Sequence, residues 1–394
     1  MIEQQPGTTR WHGVGVLIAA GMVCAFQIGK AAIAVPLLQD DLGISLVFAS
    51  WIVGAFGALG AAFGIFAGGI VSMFRPHATL IAGLSIIGCA SLAGAAAPNG
   101  TILFLTRVIE GCGFLAAVLS VPRLLRVVSH PADSDRAFAF WGAYLPCGAA
   151  LMMLLGPLLT HSWQILWLAN GAIALAFAGL VALFPFPFAP GADKSGAAAN
   201  VMRVVTSPGA IVLALAFGIY TFHYFALTGL FPSLLVEQLG LSITAAGFIS
   251  ALTVLANGIG NLIAGAVVKR IPLWMIALLG YIVIGVSGFA IFAPGVPVSV
   301  IAIAAAAALA LTGFIPASVY AAAPHVASNS ALLAITIGLV MNASSLGQLF
   351  GPASLAAFVQ RFGWDKAPLL FAAVSVAGIA VSLALRSILE QKAK

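Results

Sequence analysis

Long apolar runs set the first limit on what this chain can become. Twelve of them, at about 13–38, 46–71, 77–97, 101–127, 137–159, 163–186, 208–236, 244–267, 273–293, 297–323, 328–358 and 366–386, are long enough to cross a bilayer, which takes about 20 residues as a helix. Inside hydrocarbon every backbone amide must find its partner within the protein, so a span is a helix or a strand of a closed barrel. Barrel strands read as short alternating segments, and these runs are continuous. Only 7% of the 394 residues are charged and 62% are hydrophobic, against about 25% charged in soluble chains. The expected fold class is an all-α polytopic membrane protein with twelve transmembrane helices. The first run is too long for a signal-peptide core and lacks a clear small-residue cleavage site, so it is read as an uncleaved span. Cys24, Cys89, Cys112 and Cys147 fall inside apolar runs without metal-ligand spacing and are read as small core residues.

The longest gap between runs is Pro187–Ser207, which holds Pro187, Pro190, Gly191, Asp193, Lys194 and Gly196. That composition predicts a flexible polar linker, with domains at 1–186 and 208–394. Placing the N-terminus in the cytoplasm puts Arg10, Arg75, Arg123, Arg126, Arg136, Lys194, Arg203, Lys269, Arg270, Arg386, Lys392 and Lys394 inside. Only Arg361 and Lys366 then lie in outer loops. Twelve against two is the bias the positive-inside rule requires, so both termini and the linker are expected in the cytoplasm. The formal charge of +6 is thereby a topology signal and gives no reason to expect a nucleic-acid partner.

The two halves repeat. Val35-Pro36-Leu37-Leu38 leads to Leu42-Gly43-Ile44-Ser45, and Phe231-Pro232-Ser233-Leu234 leads to Leu239-Gly240-Leu241-Ser242. Gly68 then maps onto Gly265 and Ser72 onto Lys269, and Gly156-Pro157 recurs as Gly351-Pro352, each pair followed by a tryptophan, Trp163 or Trp364. Two parallel repeats predict two pseudo-symmetric six-helix bundles that rock about a site between them.

Charges inside the runs are rare. The fourth run carries Arg107 and Glu110 in its interior. A charge at the centre of a membrane helix costs at least about 2.5–3.5 kcal/mol, so such residues face protein and serve a purpose there. Their spacing of three puts them on one helical face. They fit either a buried pair that pins neighbouring helices or part of a transport site.

These features together resemble the major facilitator superfamily over the full length of the chain. Arg107-Val-Ile-Glu110-Gly111-Cys-Gly113 resembles the fourth-helix motif R-x-x-Q-G-x-G, with Glu110 where glutamine is common. Gly156-Pro157 with Ser162-Trp163, and Gly347-Gln348 through Gly351-Pro352, resemble the ends of helices five and eleven. The loop motif G-x-x-x-D-R-x-G-R-K is degenerate, reading Gly68 through Ser72 to Arg75-Pro76-His77, and its second copy reads Gly265 through Lys269-Arg270. Both copies lack the aspartate of a cytoplasmic gate, and Arg75, Lys269 and Arg270 remain as its basic residues. Texture and spacing suggest the cyanate permease and nitroimidazole-transport branch.

The resemblance implies that helices 1, 4, 7 and 10 line a central cavity. Helix 1 supplies Gln27 and Lys30. Lys30 and Arg107 lie about 12 and 10 Å from the outer ends of their runs, at about 1.5 Å per residue. Two cations at similar depth against Glu110 favour a bound anion; the alternative for Lys30 is snorkelling. Helix 7 supplies His223 and Tyr224, with His223 placed opposite Gln27 by the repeat. His223 is either a ligand and proton carrier or a packing histidine. Asn257 and Asn261 of helix 8 share a face and either bind substrate or bond to Asn342, Ser345 and Gln348 of helix 11. Gly313 and Pro316 would let helix 10 bend as a gate.

The expected function is secondary active transport of a small organic or inorganic anion across the inner membrane. It would work by alternating access as a monomer, with proton symport through Glu110 or His223. Alternatives are uptake of a neutral planar nutrient such as a vitamin, drug efflux by proton antiport, and a non-transporting membrane receptor. No catalytic, phosphate-cradling or metal-binding motif is present, so neither an enzyme nor a cofactor is expected. The expected partners are a small-molecule substrate, the lipid bilayer and protons.

Overall fold

A computed structural model of the chain describes residues 8–159, 162–186, 197–268, 270–327 and 330–393. Lys269 and positions 187–196 of the expected linker lie outside the described residues. The described chain is helical, with no strand in it. Among these residues eleven segments are long and apolar enough to cross a membrane, and the helix Ser330–Phe362, 33 residues long, fills the place of the remaining run.

In chain order, span 1 is Trp11–Leu42, and span 2 runs from Leu46 through a tight turn at Ala55–Gly57 to Ser72. Span 3 is Pro76–Ala95, span 4 is Gly100–Val128, span 5 is Pro131–Gly142 with Tyr144–Leu159, and span 6 is Trp163–Leu183. Span 7 is Pro208–Glu237, span 8 is Ile243–Val267 and span 9 is Leu273–Ile291. Span 10 is Val298–Thr312 with Phe314–Val326, span 11 is Ser330–Phe362, and span 12 is Ala367–Ala393 behind a turn at Trp364–Lys366.

The boundaries have local causes. Gly43 and Gly240 end spans 1 and 7 with φ of +59° and +65°, a region that side chains disfavour. Two residues later Ser45 and Ser242 cap the next helix, each Oγ accepting a backbone N–H at 3.2 Å, as N-cap serines do. The repeated Leu-Gly-x-Ser motif is thus one helix-end device used twice. Asn99 caps span 4 in the same way, Oδ1 accepting from Ile102 N at 3.0 Å. Pro131 opens span 5, several residues before its apolar run begins, because proline is at home at the first helical position.

The expected linker departs from its composition. Ala197–Val205 forms a helix, since three consecutive alanines favour helix over coil. Two cysteines also differ from expectation. Cys24 is buried, but Cys89 and Cys112 are exposed on the outer surfaces of spans 3 and 4 and are not core residues.

Spans 2 and 11 pack along a glycine stripe. A Cβ on Gly54 would stand 2.5 Å from the Leu349 carbonyl, on Gly57 2.9 Å from the Ser345 carbonyl, and on Gly64 2.8 Å from Asn342 Cα. Asn342 Nδ2 closes the seam by donating to the carbonyls of Gly60 and Ala61 at 3.0 and 2.8 Å. Small residues let two backbones approach where lipid offers no hydrophobic driving force. Gly247 of span 8 packs on span 5 in the same manner, its Cβ position 2.5 Å from the Met153 carbonyl.

Candidate functional site

Arg107 and Glu110 lie in the interior of span 4 and are 0% exposed. Arg107 Nη1 donates to Glu110 Oε2. Its Nε donates to the Ile52 carbonyl of span 2 at 3.2 Å, and its guanidinium stands 4.8 Å from the centre of the Phe56 ring. Lys30 of span 1, also 0% exposed, reaches the other carboxylate oxygen, with Nζ 3.0 Å from Glu110 Oε1. It also donates to Ser91 Oγ of span 3 at 2.6 Å and sits 4.6 Å from the centre of the Trp167 ring of span 6. Ser91 Oγ in turn donates to the Trp167 carbonyl at 2.8 Å.

One carboxylate therefore serves two cations, inside the packing of spans 1, 2, 3, 4 and 6. An isolated buried charge is expensive, and the shared carboxylate offsets much of that cost for both partners. The rings of Phe56 and Trp167 add cation–π attraction in this buried site. Lys30 does not snorkel to an interface. Polar atoms near this triad remain unmatched: Arg107 Nη2, Trp167 Nε1 and Asn170 Oδ1 have no hydrogen-bond partner. Gln27 is 0% exposed; its Nε2 meets the Val23 carbonyl at 3.4 Å, and its Oε1 is unmatched.

The other expected site residues fall into separate groups. His223 is 1% exposed. Its Nδ1 faces the Ile219 carbonyl at 3.0 Å, and its Nε2 lies 3.1 Å from the Phe371 carbonyl and 3.2 Å from Ser375 Oγ. The ring is lodged between spans 7 and 12. Asn261 bonds to Asn257, and Asn257 bonds to spans 7 and 10, not to helix 11, one of the two alternatives for this pair. Asn257 Nδ2 donates to Tyr220 Oη at 3.2 Å and to the Leu309 carbonyl at 2.9 Å, and Asn261 Nδ2 donates to Asn257 Oδ1 at 3.0 Å. Span 10 breaks at Gly313, where a Cβ would stand 2.6 Å from the Asn257 carbonyl; Pro316 is the third residue of the helix Phe314–Val326 that follows. Arg75 and Arg270 are exposed in the turns before spans 3 and 9.

Around Asn257 the rings form a chain. Tyr320 of span 10 lies 5.5 Å from Phe217, Phe217 5.7 Å from Tyr220, and Tyr220 5.9 Å from Tyr224. Tyr224 is 3% exposed and its hydroxyl has no partner. Trp141 and Tyr144 of span 5 stack at 4.0 Å, and Tyr144 helps to line a groove of about 470 Å³ among spans 1, 5 and 8. Sequence reasoning missed Ser91, Trp167, Trp141 and Tyr144. The only signal for them was an aromatic or polar residue within an apolar run.

Solved structures share this architecture. The nucleoside transporter NupG superposes with a TM-score of 0.77 at 13% identity, covering 95% of this chain and 99% of that one. A bacterial homologue of the human lysosomal transporter Spinster, inward-facing and occupied, gives 0.72 at 14% identity, covering 98% and 93%. Among curated proteins, the puromycin resistance protein pur8 of Streptomyces alboniger is 32% identical over 178 residues, 44% of this chain and 35% of that protein. The lincomycin resistance protein of Streptomyces lincolnensis is 27% identical over 175 residues, 43% and 35% respectively. The inner membrane transport protein YajR of Escherichia coli is 25% identical over 182 residues, 44% and 39%. The chain thus spans little more than a third of the length of these curated relatives. Residues 17–227 and 213–394 each match the Major Facilitator Superfamily. With its all-helical polytopic fold, the chain belongs to that superfamily.

Proposed function

We propose that this chain exports a flat, largely apolar molecule in exchange for protons, by alternating access between bundles at 1–186 and 208–394 in the inner membrane. The observation that carries this reading is the closed triad. Lys30 and Arg107 are 0% exposed and both are bonded to Glu110, so neither cation faces a cavity in this conformation. The rings of Phe217, Tyr220, Tyr224 and Tyr320 pack as a chain, and a conformation that parts the bundles would offer them to a substrate. Rings of this kind recognise flat molecules by stacking and fix them with few polar contacts. The antibiotic-resistance relatives support export of a drug-sized organic molecule. Glu110 is the proposed proton carrier, because protonating it frees two cations at once and biases the packing of five spans. His223 contributes packing.

A second reading has its own observation. The triad carries one more positive than negative charge, and Arg107 Nη2 is unmatched. In a conformation that opens the triad, Lys30 and Arg107 would hold an anion. Proteoliposomes with an imposed pH gradient separate the two. Accumulation of puromycin, lincomycin or tetracenomycin C that stops with a protonophore is the expected result. Gradient-driven flux of cyanate or nitrate with no flux of the drugs would replace the efflux reading by the anion reading.

A further inference from the structure

Within the triad, Arg107 and Glu110 share span 4, whereas Lys30 stands on span 1 and reaches Glu110 across an interface. An ammonium has three N–H donors. One meets Glu110 Oε1 at 3.0 Å and another meets Ser91 Oγ of span 3 at 2.6 Å, while the Trp167 ring of span 6 lies 4.6 Å away. Ser91 spends its own hydrogen on the Trp167 carbonyl at 2.8 Å, so its lone pairs are turned to Lys30. Spans 3 and 6 are thus tied to each other and to Lys30 without help from Glu110.

Asn170 adds an acceptor that nothing uses. It follows Trp167 by three residues on the same face of span 6 and is 1% exposed. Its Nδ2 donates to the Leu166 carbonyl at 2.8 Å, which holds the amide at the level of Trp167, and lies 3.3 Å from Met152 Sδ of span 5. Met152 Cβ in turn lies 2.9 Å from where a Cβ on Gly29, the neighbour of Lys30, would stand. The amide is therefore beside the turn of span 1 that carries Lys30, and its Oδ1 has no partner. A buried acceptor without a donor is rare and costly, and a charged donor suits it best.

We propose that Asn170 is a positioning residue that completes, with Ser91 and Trp167, a second berth for the Lys30 ammonium, taken up when Glu110 binds a proton. The berth presupposes that Glu110 carries the proton, the role given to it above. The proton adds to Oε1, the ion pair with Lys30 Nζ breaks, and Lys30, still an ammonium, exchanges Oε1 for Asn170 Oδ1. It keeps Ser91 and the ring face. Arg107 stays beside Glu110 on their common helix. The link that opens is the one between span 4 and spans 1, 3 and 6, so protonation separates elements and strands no charge. The charged groups that face Glu110 are Lys30 and Arg107; Ile52 and Phe56 of span 2, Ser91 of span 3 and Trp167 of span 6 bring none.

Infrared difference spectroscopy on the purified protein in lipid nanodiscs, titrated with acid, reads the carboxyl stretch of protonated Glu110. The band is identified as the one that Glu110→Gln removes. Asn170→Leu, of similar shape, and Asn170→Ala, which only removes atoms, both delete the unmatched carbonyl. Either should move the midpoint of the band about one pH unit lower, the worth of one hydrogen bond to a charged group. The sign follows because the protonated state loses a contact that the ionised state does not have. In a Lys30→Gln background neither Asn170 substitution should move the midpoint. An unchanged midpoint, or an equal shift with and without Lys30, overturns the proposal and leaves Glu110 as the proton carrier. If Glu110→Gln removes no band, that role is overturned, and the berth with it.

Discussion

Glu110 holds the buried triad together. Each of its oxygens holds a different cation, so the three partners are unequal. Lys30→Gln leaves a neutral Arg107–Glu110 pair, whereas Glu110→Gln leaves two cations facing each other with 0% exposure. Breaking a buried pair costs about 3–5 kcal/mol through the charge left behind. Glu110→Gln is therefore expected to lower thermal stability most and Lys30→Gln less, and the double substitution, which removes one of the two stranded cations but leaves Arg107 without a carboxylate, is expected to regain part of the loss. A double-mutant cycle by thermal unfolding measures this; additive effects would mean that the two residues do not interact. The same double variant tests coupling. It should retain exchange of substrate across proteoliposomes and lose accumulation driven by a pH gradient. The Arg107–Glu110 half of the triad was legible, because a spacing of three fixes one face. The Lys30 half was not. Depth follows from counting residues, but direction depends on how span 1 is rotated. His223 shows the same limit: span 7 is apolar on all sides, so nothing in its pattern told that the ring turns to span 12.

The elements join where glycines remove side chains, and this is where sequence was most informative. Gly60 and Gly64, four residues apart, lie on one face and do meet span 11, while the spacing of Asn257 and Asn261 gives a face and no neighbour, so it left substrate and helix 11 as alternatives and did not point to spans 7 and 10. Two substitutions separate seam from surface. Gly64→Ala places a Cβ 2.8 Å from Asn342 Cα, so backbone must move; overpacking of this kind costs about 1–3 kcal/mol. Gly15→Ala meets nothing within 4 Å and is expected to leave the melting temperature unchanged or slightly raised, since alanine is the better helix former. Equal melting temperatures for the two variants would show that the seam yields freely. Gly313→Ala belongs with Gly64. Its Cβ would press on the Asn257 carbonyl at the break in span 10, and transport is expected to slow more than stability falls if that break is the bending point of a gate. Flux and unfolding temperature measured on one preparation decide between them.

Across the whole molecule, the number of crossings fixes where both ends lie. Eleven described segments meet the length and hydropathy of a span, and Ser330–Phe362 is the twelfth by length. Parity makes this testable, since an even number returns the C-terminus to the side of the N-terminus and an odd number does not. The charge count argues for even parity with both ends inside. The turn residues Asn99 and Asp365 then fall on the outer side, and Arg10, Arg136 and Arg386 on the inner. The shared helix-end device at Gly43–Ser45 and Gly240–Ser242 supports it too. Two equivalent turns reached after spans 1 and 7 lie on the same face only if six crossings separate them. Single cysteines at Thr8, Asn99, Asp365 and Glu390, all exposed, in a background without Cys24, Cys89, Cys112 and Cys147, report this with a membrane-impermeant maleimide on intact cells and on everted vesicles. Thr8→Cys and Glu390→Cys are expected to react only in everted vesicles, and Asn99→Cys and Asp365→Cys only in intact cells. If Thr8 and Glu390 react from opposite faces, one crossing is missing. Span 11 would be the first to re-examine, because Asn342, Ser345 and Gln348 place three polar side chains near its middle.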